Sequence, residues 1–231
     1  MAKGTYHVLV GARSTTKGEA AIKALQSKNH PGTCELVHLD QTDDASIEAA
    51  AKHVEATHGR LNILINNAAI ASLDATRQNM ADNFNTNASS VWFVTQAFRP
   101  LLLKSSSSSS SSSASASSPA RVINVSSGMG SIALKLDHTH WVTPQAALPY
   151  RVSKAALNMI TAQLVWDFRD ERVKFFTVCP GFTVSNLGEA NSEANGAKPT
   201  DEAVRPLMGI VEGERDGEAG GFLHADGQYD W

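Results

Sequence analysis

Four side chains of this 231-residue sequence have types and spacing suited to proton transfer. Tyr150 and Lys154 stand four residues apart, so on a helix both would project from one face. Ser127 ends a β-rich run that starts at Val122, and Asn87 lies in a helical stretch further upstream. We expect the ammonium of Lys154 to favour the phenolate of Tyr150 and so to lower the phenol pKa from about 10.

This set of side chains predicts interconversion of a carbonyl and an alcohol. Tyr150 would act as general acid or base near neutral pH. Ser127 would hydrogen-bond the same substrate oxygen and stabilise the charge that develops on it. Asn87 would hold a water molecule that links Lys154 to solvent as a proton path. The hydride would have to come from a bound cofactor.

Other catalytic patterns fit poorly. The run Ser127-Gly-Met-Gly-Ser131 has the wrong order for a Gly-x-Ser-x-Gly nucleophile elbow. His138 and His140 suggest a metal site, but no Cys, His or Asp cluster accompanies them, and the other histidines are scattered. We therefore predict no metal. Cys34 and Cys179 each lie in an apolar run, which indicates small buried hydrophobic residues in a reducing compartment.

Composition and charge narrow the class of protein. Hydrophobic residues make up 42% and charged residues 19% of the chain, and the net charge is -3, which is typical of one soluble domain spanning residues 1–231. No cluster of lysine and arginine suggests a nucleic-acid partner. No apolar run approaches the length of a membrane span. The polar N-terminus lacks a secretory signal, so we expect a cytoplasmic protein.

Periodicity predicts strands that alternate with helices. The predicted strands cover residues 6–12, 34–39, 61–65, 120–125 and 173–179. The predicted helices cover residues 17–27, 43–58, 78–103, 150–170 and 201–211. This α/β alternation indicates a Rossmann-like doubly wound parallel sheet with helices on both faces, in a single domain.

Three further segments connect these elements. Residues 105–118 are almost all serine, with two alanines, and predict a disordered loop between a helix and a strand. Residues 186–200 are polar and follow a strand end, where a mobile lid is plausible. Substrate choice would depend on this segment and on residues 129–148. Neither segment contains a motif that identifies the substrate.

These motifs make the chain resemble the short-chain dehydrogenase/reductase superfamily. The resemblance runs from about Tyr6 to the C-terminus. Beyond the four residues above, it rests on Asn66-Asn-Ala-Ala69, where the last family residue is usually glycine, and on Pro180-Gly-Phe-Thr-Val-Ser185. The tail from Gly220 to Trp231 is similar to tails in the carbonyl-reductase-like branch.

The resemblance implies a nicotinamide cofactor and a role for each matching residue. Tyr150 would donate or accept the proton, and Lys154 would lower its pKa and hold the nicotinamide ribose. Asn87 would complete the proton relay, and Ser127 would orient the substrate carbonyl. The other implied cofactor contacts are Asp40 at the adenine, Asn67 along the cofactor, and Thr183 and Ser185 on the carboxamide and phosphate side.

The N-terminus departs from the family pattern. Members begin with a strand and then Thr-Gly-x-x-x-Gly-x-Gly, but counting from Gly11 places the next two glycines on Thr15 and Lys17. Tyr6 to Arg13 therefore resembles the family's second strand, and Arg13 stands where the adenosine ribose is read. An arginine there suits a 2′-phosphate and indicates NADP(H). The alternative is an ordinary solvated loop arginine.

We therefore expect an N-terminally truncated version of the fold, without its first strand, phosphate loop and first helix. The loss would leave two strands without a neighbour and would remove the helix N-terminus that binds pyrophosphate. Three outcomes stay open: the sheet closes around the gap, the natural protein is longer, or dinucleotide binding is weak.

The function expected from these features is that of an NADP(H)-dependent oxidoreductase acting on the carbonyl or alcohol of a small organic substrate. The alternative is a catalytically silent, reductase-like binding or scaffold protein, or a truncated gene product. A homodimer and a monomer are both possible, because the long loop from Ser127 to Tyr150 could cover the helix face that relatives use to dimerise.

Overall fold

The computed structural model describes residues 5–28, 30–107 and 118–231, and in this part seven strands form two sheets. The first sheet pairs β1 (His7–Ala12) with β2 (Thr33–His38). The second contains, in spatial order, β3 (Ile63–Asn66), β4 (Ala120–Val125), β5 (Val173–Val178), β6 (Phe222–His224) and β7 (Gly227–Tyr229). All neighbouring strands are parallel except β6 and β7, which are antiparallel.

Eight α-helices connect the strands in the described part: α1 (Thr15–Gln26), α2 (Asp44–His58), α3 (Arg77–Phe84), α4 (Ser90–Ser107), α5 (Ile132–Leu136), α6 (Leu148–Asp167), α7 (Thr200–Ala203) and α8 (Arg205–Val211). None of these helices combines the length and the apolar character that crossing a membrane requires. Their alternation with parallel strands confirms the predicted Rossmann-like α/β fold.

Both faces of the larger sheet are covered by helices. Val122 and Phe175 point to one face, where they pack with Leu164 of α6. The next residue along each strand points to the other face, where Ile123 packs with Ile210 of α8. This alternation along β4 and β5 is the period of two expected of strands buried on both sides.

Local signals in the sequence explain where several helices begin and end. The carboxylate of Asp43 accepts a hydrogen bond from the backbone N–H of Ala45 and caps α2 at its N-terminus. Gly59, with φ 70°, ends the same helix in the left-handed conformation that glycine adopts without a steric penalty. Pro149 lies in the first turn of α6, where its missing N–H costs nothing.

Three elements differ from the prediction. The expected helix 78–103 is interrupted at Asn85–Ser89, where a π-helical turn separates α3 from α4. The expected helix 201–211 is divided into α7 and α8 beside Pro206, which cannot donate a backbone hydrogen bond. The short elements α5, β6 and β7 were not predicted at all.

The serine-rich segment begins inside a helix. Since α4 continues to Ser107, the prediction of a loop from residue 105 is wrong at its start. The hydroxyl of Ser106 accepts from the backbone N–H of Ala120 at 3.1 Å and donates to the carbonyl of Arg172 at 2.6 Å, which fixes the end of α4 beside the start of β4. Residues 108–117 lie outside the described residues, so the disorder predicted for them stays a prediction.

The sheet is divided between β1 and β3. In the described part these strands belong to separate sheets, and Val8 and Ile65 are 49% and 44% exposed. Cys34 on β2 is likewise only partly buried, against expectation, because its sheet has two strands. The idea that the sheet closes around a gap is therefore wrong.

Side-chain packing joins the two sheets where backbone hydrogen bonds do not. Leu9 of β1 and Leu64 of β3 both contact a core cluster that contains Val94 and Phe98 of α4 and Val54 of α2. One hydrophobic core, which includes residues of α2 and α4, therefore extends across the divide between the two sheets. The chain forms a single domain.

Candidate active site

The predicted catalytic residues meet at the carboxyl ends of β4 and β5. Ser127 is the second residue after β4, and Tyr150 and Lys154 lie on α6. Cys179 follows β5, is buried as expected, and accepts a hydrogen bond through Sγ from the backbone N–H of Gly128 at 3.1 Å. In an open α/β sheet this edge is where ligands bind.

Lys154 is a buried cation. Its side chain is 2% exposed, and Nζ donates to the carbonyl of Val125 at 2.7 Å. Nζ lies 5.7 Å from the centroid of the Tyr150 ring. Burial lowers the pKa of Lys154 from 10.5 to about 8, so most of the ammonium is still protonated at neutral pH.

Tyr150 is a neutral phenol in this site. Burial raises the pKa of Tyr150 from 10.0 to about 12; a hydrogen bond with Ser127 acts in the opposite direction and is outweighed. The prediction that its pKa would be lowered is wrong for the structure. The physical reason is that the pocket removes water from both groups, and desolvation penalises phenolate and ammonium alike.

Ser127 is oriented by the turn that follows β4. Its hydroxyl accepts from the backbone N–H of Met129 at 3.2 Å and caps the 3₁₀ turn Gly128–Gly130. Gly130 lets this turn lie directly against α6, because a Cβ there would approach Lys154 Cβ to 2.7 Å. The turn therefore brings Ser127 to Tyr150 only with glycine at this position.

The side chain of Asn87 contacts backbone and a serine rather than Lys154. Its amide nitrogen donates to the carbonyl of Ile70 at 2.8 Å and to the hydroxyl of Ser153 at 2.9 Å. Its amide oxygen accepts from the N–H of Ile70 at 2.9 Å. Asn87 thus fastens the loop after β3 to α6, and the water relay inferred for it stays a prediction.

A buried polar network holds α6 against β4. Asn158 accepts from the hydroxyl of Ser126 at 2.6 Å and donates to the carbonyl of Gly130 at 3.2 Å. Asn124 donates to the hydroxyl of Thr161 at 2.9 Å. A network in which each polar group has a hydrogen-bond partner holds its side chains in a single geometry. A site for proton transfer needs such a fixed geometry.

Arg151 is a site residue that the sequence reasoning missed. It is 7% exposed, and its guanidinium donates to four carbonyl groups of the loop before α6: those of Met129, Val142, Thr143 and Gln145. Burial lowers its pKa. Its position between Tyr150 and Lys154 in the sequence indicates that it lies close to the site. Its hydrogen-bond partners are backbone carbonyls, which every residue has, so the sequence could not predict them.

The residues predicted to bind the adenosine end follow successive strands. Arg13 is exposed directly after β1, and Asp40 is half-buried after β2. Hydrogen bonds from the hydroxyl and N–H of Thr42, at 2.7 and 2.9 Å, hold the pKa of Asp40 below its ordinary value, and the charge of Arg13 adds to this effect. Asn67 is exposed after β3.

Thr183 and Ser185 lie in the loop after β5, where their hydroxyls make local hydrogen bonds. Thr183 donates to the carbonyl of Gly181 at 3.1 Å, and the hydroxyl of Ser185 accepts from the N–H of Leu187 at 3.4 Å. A β-bridge pairs Thr183 with Lys198. The mobility predicted for residues 186–200 stays a prediction.

This donor set fits the two ends of a nicotinamide dinucleotide phosphate. Tyr150 and Lys154 offer a hydroxyl and an ammonium at one end of the carboxyl edge, and Arg13 offers a guanidinium at the other. Between them lies the divide in the sheet, where the Rossmann pattern has a strand, a glycine-rich turn and a helix N-terminus for the pyrophosphate. In the part of the chain that the structure describes, the two ends of the dinucleotide therefore have binding partners, whereas the pyrophosphate between them lacks its usual ones.

Comparison with known proteins agrees with this arrangement. Residues 1–196 match the family profile described as short chain dehydrogenase. The short-chain dehydrogenase/reductase tropE of Talaromyces stipitatus is 31% identical over 244 residues, which cover 96% of this chain and 86% of that protein. The short-chain dehydrogenase anuI of Penicillium roqueforti is 36% identical over 211 residues, covering 89% of this chain and 78% of that protein.

A solved structure extends the likeness to three dimensions. The crystal structure of NADPH-bound carbonyl reductase from chicken fatty liver superposes with a TM-score of 0.79 at 31% sequence identity. The match covers 97% of this chain and 87% of that chain.

Proposed function

Since the chain belongs to the short-chain dehydrogenase family of nicotinamide-dependent oxidoreductases, we propose that it uses NADP(H) to interconvert a carbonyl and an alcohol on a small organic substrate. The observation that carries this proposal is the meeting of Ser127, Tyr150 and Lys154 at the carboxyl edge of the sheet, where Tyr150 and Lys154 are buried. The NADPH bound to the chicken carbonyl reductase supports the choice of cofactor.

The residues that would hold the cofactor lie along the same edge. Arg13 would pair with the 2′-phosphate as a guanidinium–phosphate contact, and Tyr150 and Lys154 would contact the nicotinamide ribose. The remaining proposed contacts are Asp40, Asn67, Thr183 and Ser185. When bound, the reduced nicotinamide supplies a hydride to the substrate carbon.

The chain's own residues would deliver the proton. Ser127 and Tyr150 would both hydrogen-bond the substrate carbonyl oxygen, because their hydroxyls already lie within hydrogen-bonding reach of each other. As that oxygen gains negative charge, Tyr150 would release its proton to it, and the ammonium of Lys154 would stabilise the phenolate that remains. Asn87 would hold the loop after β3 in place against α6.

The protonation state of Tyr150 suits the role of proton donor. With its pKa raised to about 12, the phenol holds its proton throughout the neutral range. A proton for the carbonyl oxygen is therefore present in the free chain.

Replacing Tyr150 tests the proposed chemistry. We expect Tyr150→Phe to reduce the rate of NADPH oxidation on a panel of aldehydes, ketones and quinones by at least about 100-fold, because the proton donor is lost. Tyr6→Phe, at the start of the described chain, is the matched control and should keep full activity. Activity that survives in Tyr150→Phe would show that another group donates the proton.

The divided sheet supports a second candidate function, that of a reductase-like scaffold without cofactor. A fluorescence titration with NADPH, with NADH as control, separates the two. Micromolar binding that prefers NADPH, and that Arg13→Gln weakens by about tenfold for NADPH alone, would support the enzyme. A cooperatively folded chain that binds neither nucleotide would support the scaffold.

A further inference from the structure

Three side chains with metal-ligating groups meet away from the catalytic edge. His7 opens β1, Glu35 lies in β2, and His58 is the last residue of α2. They are distant in the sequence, which is why the histidines looked scattered. One ligand atom from each lies within 4.8 Å of the other two.

The carboxylate of Glu35 stands between the two imidazoles. Nε2 of His58 lies 2.6 Å from one carboxylate oxygen, and Nε2 of His7 lies 3.6 Å from the other. The ring centroids of the two histidines are 5.2 Å apart. The three ligand atoms therefore lie close together, and all three side chains are partly open to solvent, so an ion has a route of entry.

A second hydrogen bond orients His7. Its Nδ1 lies 2.6 Å from the hydroxyl of Thr33, the residue paired with His7 in the parallel register of β1 and β2. A hydrogen bond at one ring nitrogen directs the other toward the ligand, and histidines that bind metals usually have such a partner.

The elements that carry the three ligands are fixed by packing. The register of β1 and β2 pairs His7 with Thr33 and Leu9 with Glu35, so His7 and Glu35 lie diagonally across the two strands on one face of the sheet. His58 lies one turn after Val54, which is 1% exposed and anchors α2 in the core. Ligands on rigid elements need less ordering when an ion binds.

We propose that His7, Glu35 and His58 form a binding site for a divalent transition-metal ion of the Zn²⁺ class, with water completing the coordination. Two imidazoles and one carboxylate are a ligand set that Zn²⁺ and Co²⁺ accept. Bonds of about 2.0–2.2 Å to one tetrahedral ion put ligand atoms on the order of 3.4 Å apart. Small side-chain rotations achieve this spacing from the observed one.

The bound ion would act as a clamp on the smaller sheet. It would join β1, β2 and α2, the elements on the far side of the divide from the catalytic pocket. The ion would raise the thermal stability of the folded chain, because it binds the folded state and has no assembled site in the unfolded one. It would leave the chemistry at Tyr150 unchanged.

Titration of the untagged chain tests the site. We expect one Zn²⁺ per chain by isothermal titration calorimetry, micromolar affinity, and strong visible absorption from bound Co²⁺, which indicates four-coordination. Glu35→Gln and His58→Gln should each weaken Zn²⁺ binding by at least about tenfold. His53→Gln is the matched control, because it removes an exposed histidine from the same helix outside the three-ligand set, and it should bind as the original chain does.

Thermal unfolding supplies an independent readout. Zn²⁺ should raise the Tm of the original chain and of His53→Gln, and should leave the Tm of Glu35→Gln unchanged. Circular dichroism without metal shows whether each variant is folded, and His7→Gln replaces any that is not. Zn²⁺ binding that is equal in all variants, that is lost in His53→Gln, or that requires millimolar ion would overturn the proposal.

Discussion

At the scale of single residues, the catalytic role proposed for Lys154 opposes the stability of the fold. A buried ammonium with a carbonyl as its hydrogen-bond partner loses more hydration than that bond returns. This loss is the reason for the lowered pKa of Lys154. The same cation is the group that would stabilise a phenolate on Tyr150, so the site keeps a residue that makes the fold less stable.

We predict that Lys154→Met stabilises the chain at pH 7. The lowered pKa, from 10.5 to about 8, corresponds to a cost on the order of 3 kcal/mol. Loss of the hydrogen bond to Val125 offsets about 1 kcal/mol of the gain. The free energy of unfolding, measured in urea, should therefore rise by about 2 kcal/mol, while carbonyl reduction falls sharply. Lys52→Met, which replaces an exposed lysine on α2, should change stability by less than about 0.5 kcal/mol.

The advantage of Lys154→Met should disappear as the pH rises. Between pH 8 and 10.5 the unfolded chain keeps a proton on Lys154 that the folded chain has released, so the original chain gains stability with pH in this window. Folded Tyr150 keeps its proton across this window in both proteins, because its pKa is raised to about 12, so its contribution cancels in the comparison. A difference in stability that is constant from pH 7 to 10.5 would contradict the assigned cause.

Local spacing was enough to predict that the proposed catalytic residues Tyr150 and Lys154 lie together, but it could not predict their burial. Tyr150 and Lys154 are one helical turn apart, so the sequence placed them together without knowledge of the fold. The direction of the phenol pKa depends on which distant elements exclude water from the pocket. That information lies in the packing of β4, β5 and α6, and the prediction of a lowered pKa was wrong for this reason.

At the scale of elements, the loop from Met129 to Ala147, which includes the short helix α5, depends on one side chain. Arg151 donates to carbonyls at both ends of this loop, from Met129 to Gln145. The loop closes on α6 at Ala147, which has φ 75° and is the one non-glycine residue of the described part with positive φ. A guanidinium has enough donors to satisfy several carbonyls at once, and an ammonium on a flexible stem does not.

We predict that Arg151→Lys loosens this loop without unfolding the chain. Losing part of the charge-assisted hydrogen bonding should cost about 2 kcal/mol of stability. Amide hydrogen exchange across residues 137–147 should accelerate by at least about tenfold, and KM for the carbonyl substrate should rise more than kcat falls. Arg169→Lys, at an exposed position after α6, is the control. Unchanged exchange in the loop would show that Arg151 does not hold it.

Helices and strands were predictable where hydrophobic periodicity is strong. The central strands and α2, with its Asp43 cap, follow from their own residues. The π-helical turn at Asn85–Ser89 does not, because the chain there satisfies contacts with α6 and with the loop after β3 through Asn87. The short strand β6 pairs with the edge of β5, and β7 pairs in turn with β6, so both depend on distant partners.

At the scale of the whole molecule, the divided sheet sets the pattern of local stability. The strands of the larger sheet hydrogen-bond on both sides in β4 and β5, whereas β1 and β2 have only each other. Packing of Leu9 and Leu64 against one shared core cluster connects the halves. Units with few shared contacts open separately, with smaller free energies.

We predict that β1 and β2 open before the larger sheet does. Native-state amide exchange should show at least about 100-fold less protection in β1 and β2 than in β4 and β5, equivalent to an opening free energy lower by about 3 kcal/mol. The comparison is internal to one sample, so it needs no second protein. Equal protection in both sheets would mean that the chain opens as one cooperative unit.

The hydrogen bond between Ser106 and Ala120 affects how freely the length of the serine tract can change during evolution. It holds the two flanks of the serine tract together at the amino end of β4, on the edge opposite the catalytic pocket. The sequence predicts a flexible loop for this tract, and the entropy of closing such a loop grows only with the logarithm of its length, so doubling the tract would cost about 0.6 kcal/mol. The gain or loss of serine residues in this tract would therefore be almost neutral for folding and for catalysis.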